Sequence, residues 1–229
     1  MTRFLYLVRH GRADPHDGPL SHAGQEQARL TGRRLKDVPF SGICHGPLPR
    51  AAQTASLIAA SLPGVPVSVS DLAGDYLPSA PDPAGLPPAY ASFVAGFSAA
   101  ERSEGPERAE AALERFARPG DGPEDSYELL VTHNFLIGWL VSQAMAAPSW
   151  RWLGLNQMNC AVTVLAYQPG LPAGLIIFND AAHLPPELRW TGFPVGLVPA
   201  GLLGVKTPPM GGVTAHNHGL MCHRPGRGG

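Results

Sequence analysis

Four basic or imidazole groups stand where short apolar runs end. Arg9 and His10 follow Phe4–Val8, His133 follows Tyr127–Thr132, and Arg50 opens a helical stretch just past the segment Gly42–His45. Two guanidiniums offer fixed forks of N–H donors that suit a tetrahedral oxyanion, and helix starts near Pro49 and Asn134 would add backbone donors and their dipoles. The set predicts a phosphate pocket. Taken one at a time the residues read more plainly: a lone His at a strand end is usually a hydrogen-bonded structural residue, and a lone Arg is usually solvated or ion-paired. It is their shared position that argues for chemistry, because ligands of an open α/β sheet bind at the carboxyl ends of its strands. Other chemistries lack their motifs: the chain has no Gly-x-Gly-x-x-Gly turn, no Walker loop, no His-Glu-x-x-His and no Gly-x-Ser-x-Gly.

The elements that must hold these groups can be read from the pattern. Phe4–Val8 is a buried strand, Ser21 caps a helix running to about Lys36, Gly42–His45 is a short strand, Pro49–Ser61 a helix, and Val65–Val69 a further strand. Residues 71–106 interrupt the rhythm with ten Gly or Pro and form a loop-rich insertion on the substrate side, with a short helix near Tyr90–Ala99. A helix at Glu107–Ala117, the strand Tyr127–Thr132, a helix at Phe135–Ala146 and two closing strands, Ala161–Tyr167 and Leu175–Phe178, follow. This alternation predicts a three-layer α/β/α sandwich with a mostly parallel central sheet. Trp139, Trp150, Trp152 and Trp190 read as packing residues.

Composition bounds the rest. Gly and Pro together number 52 of 229 residues, too few to make disorder the default reading, and 44% hydrophobic content suffices for a core. Fifteen of the 52 fall in residues 191–229, a segment with no acidic residue and only Lys206, Arg224 and Arg227 as charges. The domain reading is a catalytic unit over 1–190 and an irregular or disordered basic tail over 191–229. His216-Asn217-His218 and Cys222-His223 in that tail fit no standard metal spacing. A formal net charge of −1 provides no global attraction for nucleic acid or an anionic membrane. Phe4–Val8 is too short for a signal-peptide core, and Phe193–Val205, broken by two Pro and three Gly, is too short for a membrane span. Three cysteines, Cys44, Cys160 and Cys222, suggest free thiols. The expectation is a soluble, cytoplasmic protein.

Over about residues 3–190 the chain resembles the histidine phosphatase superfamily, the phosphoglycerate mutase-like family. Arg9-His10-Gly11 after the first strand is similar to its signature, and Leu20-Ser21, Gly24 and Gln27-Ala28 to the helix start that follows. Pro47-Leu48-Pro49-Arg50-Ala51 with Gln53-Thr54-Ala55 is similar to the second-arginine segment, Leu130-Val131-Thr132-His133 to the second-histidine strand, and Asn179 with Ala182-His183-Leu184 to the C-terminal segment. The tripeptide alone is common; the ordered set is specific.

The resemblance implies a phosphomonoesterase working through a phosphohistidine. His10 would attack phosphorus, Arg9, Arg50 and His133 would hold the phosphoryl oxygens, and Gly11 would let the chain turn close to the ligand. No metal or other cofactor is required. A leaving alkoxide needs a proton, and Asp75 is the candidate donor, with Asp71 and Asp82 as competitors. Many relatives carry Glu at the Asp75 position, and Asp is one methylene shorter. Cys44-His45-Gly46 replaces the family's small hydroxyl residues, with His45 either lining the pocket or structural, and His16 and Asp17 in the first loop could meet substrate. His183 reads as structural. The substrate would be a small-molecule phosphate monoester or phosphorylated metabolite, with neither nucleic acid nor membrane as partner; oligomeric state is left open. Few residues lie between Asp75 and His133, leaving little room for a lid that retains a bisphosphorylated intermediate, so hydrolysis is favoured over a mutase reaction. A phosphoglycerate mutase-type transferase and a poorly catalytic phosphate-recognising module are the alternatives.

Overall fold

In the computed structural model, which describes residues 1–14, 18–193 and 198, strands and helices alternate along the chain. β1 (Arg3–Arg9), α1 (His22–Leu35), β2 (Gly42–His45), α2 (Pro49–Ala59) and β3 (Val67–Val69) come first, then α3 (Pro88–Ala95), α4 (Ala99–Phe116), β4 (Ser126–Thr132), α5 (Asn134–Ala144), β5 (Val162–Tyr167) and β6 (Gly174–Asp180). Six strands form one sheet in the order β3-β2-β4-β1-β5-β6. The β3-β2, β2-β4 and β4-β1 pairs are parallel, and β5 runs antiparallel to both its neighbours. The α/β sandwich expected from the sequence is the fold observed.

Side chains of β1 alternate between two cores, as a period of two requires. Leu5 and Leu7 pack with Ala109, Ala112 and Phe116 of α4 and with Leu136, Ile137 and Leu140 of α5. Phe4, Tyr6 and Val8 face the other way, toward Leu35 of α1 and Ala55 and Ile58 of α2. Trp139 and Trp152 belong to the first core. A third cluster, around Leu20, Ala28, Met158, Cys160, Ala181 and Leu184, closes the end of the sheet that carries His10.

Several boundaries differ from the sequence reading, and the short helix expected at Tyr90–Ala99 is α3, Pro88–Ala95, which ends before the Ser98 cap of α4. β3 begins at Val67, because the Val65 N–H is taken up in a turn by the Leu62 carbonyl. The helix expected at Glu107 starts at Ala99 and runs through Pro106. Ser98 and Glu101 make a reciprocal capping box there, and the apolar face of the last three turns is buried; together these outweigh the Pro penalty of about 3 kcal/mol. Thr191, Gly192 and Phe193, assigned by sequence to the tail, lie against the body: the Thr191 carbonyl accepts from the Asn159 N–H, and Phe193 packs on Trp190. Residues 194–197 and 199–229, with the His and Cys groups of the tail, lie outside the described residues, as do His16 and Asp17.

No helix among the described residues is long and apolar enough to cross a membrane. Cys44 and Cys160 are unpaired and buried, and burial pushes the Cys160 thiol up to about 12.

Candidate active site

The parallel pairing of β1 with β4 aligns Arg9 with Thr132, and the His10 N–H donates to the Thr132 carbonyl. His10 and His133 therefore leave adjacent strands at the same end of the sheet, with ring centroids 5.0 Å apart. β2 lies on the other side of β4, and the short loop after it starts α2 at Pro49, which is preorganised for a first helical position. Arg50 follows in the first turn and points back over the strand ends. Its Nε lies 3.3 Å from His10 Nε2.

The tautomer of His10 follows from its two partners. His10 Nδ1 sits 2.8 Å from the Gly11 carbonyl, which can only accept, so Nδ1 carries the proton. Arg50 can only donate, so Nε2 presents its lone pair toward the basic side of the pocket. Burial, His133, Arg9 and Arg50 together hold the His10 imidazole well below its usual range, and burial with Arg50 and Arg9 does the same for His133. Both rings are neutral at neutral pH. Neither ring nitrogen of His133 has a hydrogen-bond partner, although the side chain is almost wholly buried. Buried polar groups are ordinarily hydrogen-bonded, so an unsatisfied imidazole beside two guanidiniums marks a candidate site.

Asp75 follows the 3₁₀ turn Asp71–Ala73, one-third exposed, with its Oδ2 2.8 Å from Arg50 Nη2 and 3.4 Å from His133 Nδ1. Asp71 and Asp82 face solvent, and Asp82 spends its carboxylate capping the turn at Ala84. Arg9 is nearly fully buried, and its Nη1 donates to the carbonyls of Gln157 and Gly192, each at 2.6 Å. The structure thus brings Arg9, His10, Arg50, Asp75 and His133 together. Gly11 is crowded from α1 instead: a Cβ there would meet the Gly24 carbonyl oxygen at 2.6 Å. His45 bonds the Gly46 carbonyl through Nδ1, and His183 bonds Thr31 Oγ1.

Two supporting residues were not legible as such in the sequence. Thr54 Oγ1 accepts from the Gly11 N–H and donates to the Arg50 carbonyl, tying the two motifs to each other. Asn159 Nδ2 donates to the His10 carbonyl at 2.7 Å. Thr54 lies four residues after Arg50, a visible helical spacing, but Asn159 is brought in from 149 residues away and leaves no local signal.

Several known proteins are similar to this chain. The mitochondrial serine/threonine-protein phosphatase PGAM5 of Mus musculus is 32% identical over 197 residues, covering 81% of this chain and 65% of that protein. The chain therefore spans less than two thirds of that relative. The expectation of a cytoplasmic protein is overturned by this relative and its Homo sapiens counterpart, 32% identical over 197 residues, both of which are mitochondrial. Among solved structures, phosphoglycerate mutase of Plasmodium falciparum superimposes with a TM-score of 0.57 at 25% identity, covering 81% of this chain and 95% of that one. A mycobacterial glucosyl-3-phosphoglycerate phosphatase has the same fold, with a TM-score of 0.58 at 22% identity over 79% of this chain and 100% of that one. The model of the histidine phosphatase superfamily (branch 1) matches residues 5–73 and 89–179, and the chain belongs to that family.

Proposed function

We propose that the protein hydrolyses phosphate monoesters through a phosphohistidine formed on His10. The observation that carries this reading is the neutral His10 imidazole, its proton held on Nδ1 by Gly11 and its Nε2 lone pair aimed among Arg50, Arg9 and His133. Nε2 forms a bond to phosphorus as the ester P–O bond breaks, and the leaving oxygen takes a proton from Asp75, which enters the step in its carboxylic acid form, released from Arg50 as the phosphoryl group takes over that guanidinium. Water then attacks the phosphohistidine, giving its proton to the Asp75 carboxylate and releasing inorganic phosphate and free His10. Arg9, Arg50 and His133 stabilise the charge that gathers on the equatorial oxygens in both in-line steps. The two guanidiniums supply the positive charge and the neutral imidazoles the nucleophile and a hydrogen bond, so the proposed reaction calls for no metal, and EDTA is expected to leave the rate unchanged.

The PGAM5 name supports phosphoserine or phosphothreonine on protein as a substrate, whereas the likeness to phosphoglycerate mutase supports a small phosphorylated metabolite and keeps a mutase as the second reading. His10→Ala is expected to abolish phosphate release from p-nitrophenyl phosphate in a chain that still folds, and an alkaline denaturing quench of the native enzyme mixed with a radiolabelled phosphate monoester should trap label on His10 alone. Retained turnover in the variant overturns the mechanism. Phosphate release from a panel of phosphopeptides and phosphometabolites, without any bisphosphate primer, separates hydrolase from mutase and ranks the two substrate classes.

A further inference from the structure

Arg9 is held from a direction that the strand ends do not explain. Its Nη1 has two hydrogens, and carbonyls lie at 2.6 Å from that nitrogen on Gln157 and on Gly192, 148 and 183 residues away. A guanidinium is planar, so fixing one terminal nitrogen in two bonds fixes the plane and the direction of the whole fork. Gly192 belongs to a short segment that is itself pinned at several points. Trp190 and Gly192 both adopt left-handed backbone conformations, with φ of 61° and 70°. Between them the Thr191 carbonyl accepts from the Asn159 N–H, and Thr191 Oγ1 accepts from Gln27 Nε2 at 2.6 Å. The rings of Trp190 and Phe193 meet edge to face at 5.2 Å and pack on the cluster formed by Leu20, Ala28, Met158 and Leu184. Asn159, which holds Thr191 through its backbone, also donates its side-chain amide to the His10 carbonyl. No room is left for a side chain at position 192: a Cβ would meet Asn159 Oδ1 at 2.5 Å and Arg9 Nη1 at 2.8 Å.

We propose that Trp190–Phe193 is a clasp that aims the Arg9 guanidinium at the transferring phosphoryl group, with Gly192 as a positioning residue of the clamp. The proposal rests on the reading of Arg9 as a phosphate ligand. It adds that the aim of Arg9 is set by backbone at the far C-terminal side of the catalytic body, through a position where only glycine fits. A fork turned by a fraction of an ångström loses its match to the equatorial oxygens, and displacements of about 1 Å at a catalytic group cost about a hundredfold in rate.

The test uses the full chain carrying Gly192→Ala, Arg9→Ala or both, with p-nitrophenyl phosphate as substrate and inorganic orthovanadate as a probe of the five-coordinate phosphorus geometry. Gly192→Ala is expected to lower kcat/KM by about ten- to a hundredfold and to weaken vanadate binding, measured calorimetrically, by a similar factor. In the Arg9→Ala background the same substitution should cost nothing more, because the group it misaims is gone. A folded Gly192→Ala enzyme that binds vanadate as tightly as the native chain overturns the clasp, and so do losses that multiply in the double variant. Should Gly192→Ala fail to give a cooperative unfolding transition, Phe193→Ala loosens the same segment from outside the clamp. A two- to tenfold fall in both readouts, absent in the Arg9→Ala background, supports the clasp; unchanged values overturn it. An Arg9→Ala enzyme with native kcat/KM instead overturns the clamp reading on which the clasp rests.

Discussion

A carboxylate bonded to a guanidinium and standing 3.4 Å from a buried, neutral imidazole is an unusual way to spend an aspartate that serves only the fold. Asp75 occupies that place, and its proposed role as proton donor has a measurable consequence. Protonation of the leaving oxygen matters most when that oxygen is strongly basic. Asp75→Asn should therefore reduce kcat by about 10²–10⁴-fold on an alkyl phosphate and far less on p-nitrophenyl phosphate, whose leaving group needs no proton. Equal losses on both substrates would count against the role. His10 and His133 carry a second consequence. Unfolded, each imidazole titrates near 6.5; folded, burial and the neighbouring cations hold both well below that value. Between those two limits the unfolded chain binds protons that the native chain refuses, so stability is fully present above about pH 6.5 and is lost as the pH falls toward the folded values. Urea midpoints measured from about pH 8 to pH 5 should show this decline, and His133→Gln should flatten it.

At the level of elements, α4 shows local signals in conflict and their resolution. Pro106 deprives the helix of one N–H, yet the helix continues across it, anchored by the Ser98–Glu101 box and by the burial of Ala109, Ala112 and Phe116. Pro106→Ala restores the missing donor to the Arg102 carbonyl and should stabilise the protein by up to about 3 kcal/mol, raising the denaturant midpoint. Ser98→Ala removes the cap and should cost about 1 kcal/mol in the same assay. Neither change touches the clamp, so activity per folded molecule should stay constant. α2 shows the opposite case, in which local chemistry and function agree. Pro49 starts the helix, and Arg50 in its first turn is delivered to the strand ends as a result.

For the molecule as a whole, β4 is the element on which fold and site both depend. It pairs with β1 and β2, carries Leu130 into one core and Leu129 and Val131 into the other, and ends at His133. Leu130→Ala should lose about 2–5 kcal/mol, read from urea unfolding, because a fully buried side chain leaves a cavity in a sheet covered on both faces. At the opposite end of the same strand Glu128 pairs with buried Arg3 and with Arg115 of α4, which ties the sheet to that helix far from the chemistry.

What the sequence determined by itself was local in origin. Apolar runs with period two or continuous burial mark β1, β2 and β4, turn residues end them, Arg9, His10 and His133 sit at those ends and Arg50 opens the helix after β2, so the fold class and the proposed clamp could be read in order along the chain. Asp75 could be named only among three loop carboxylates; geometry alone shows that it, and neither Asp71 nor Asp82, meets Arg50 and His133. The tie from Thr54 to Gly11, the tie from Asn159 to His10 and the hold of Gly192 on Arg9 span 43, 149 and 183 residues. Such contacts have no period and no local composition to announce them. They exist only once the sheet has brought β1, β4 and β5 side by side, which is why the clasp on Arg9 was a matter for the tertiary structure to decide.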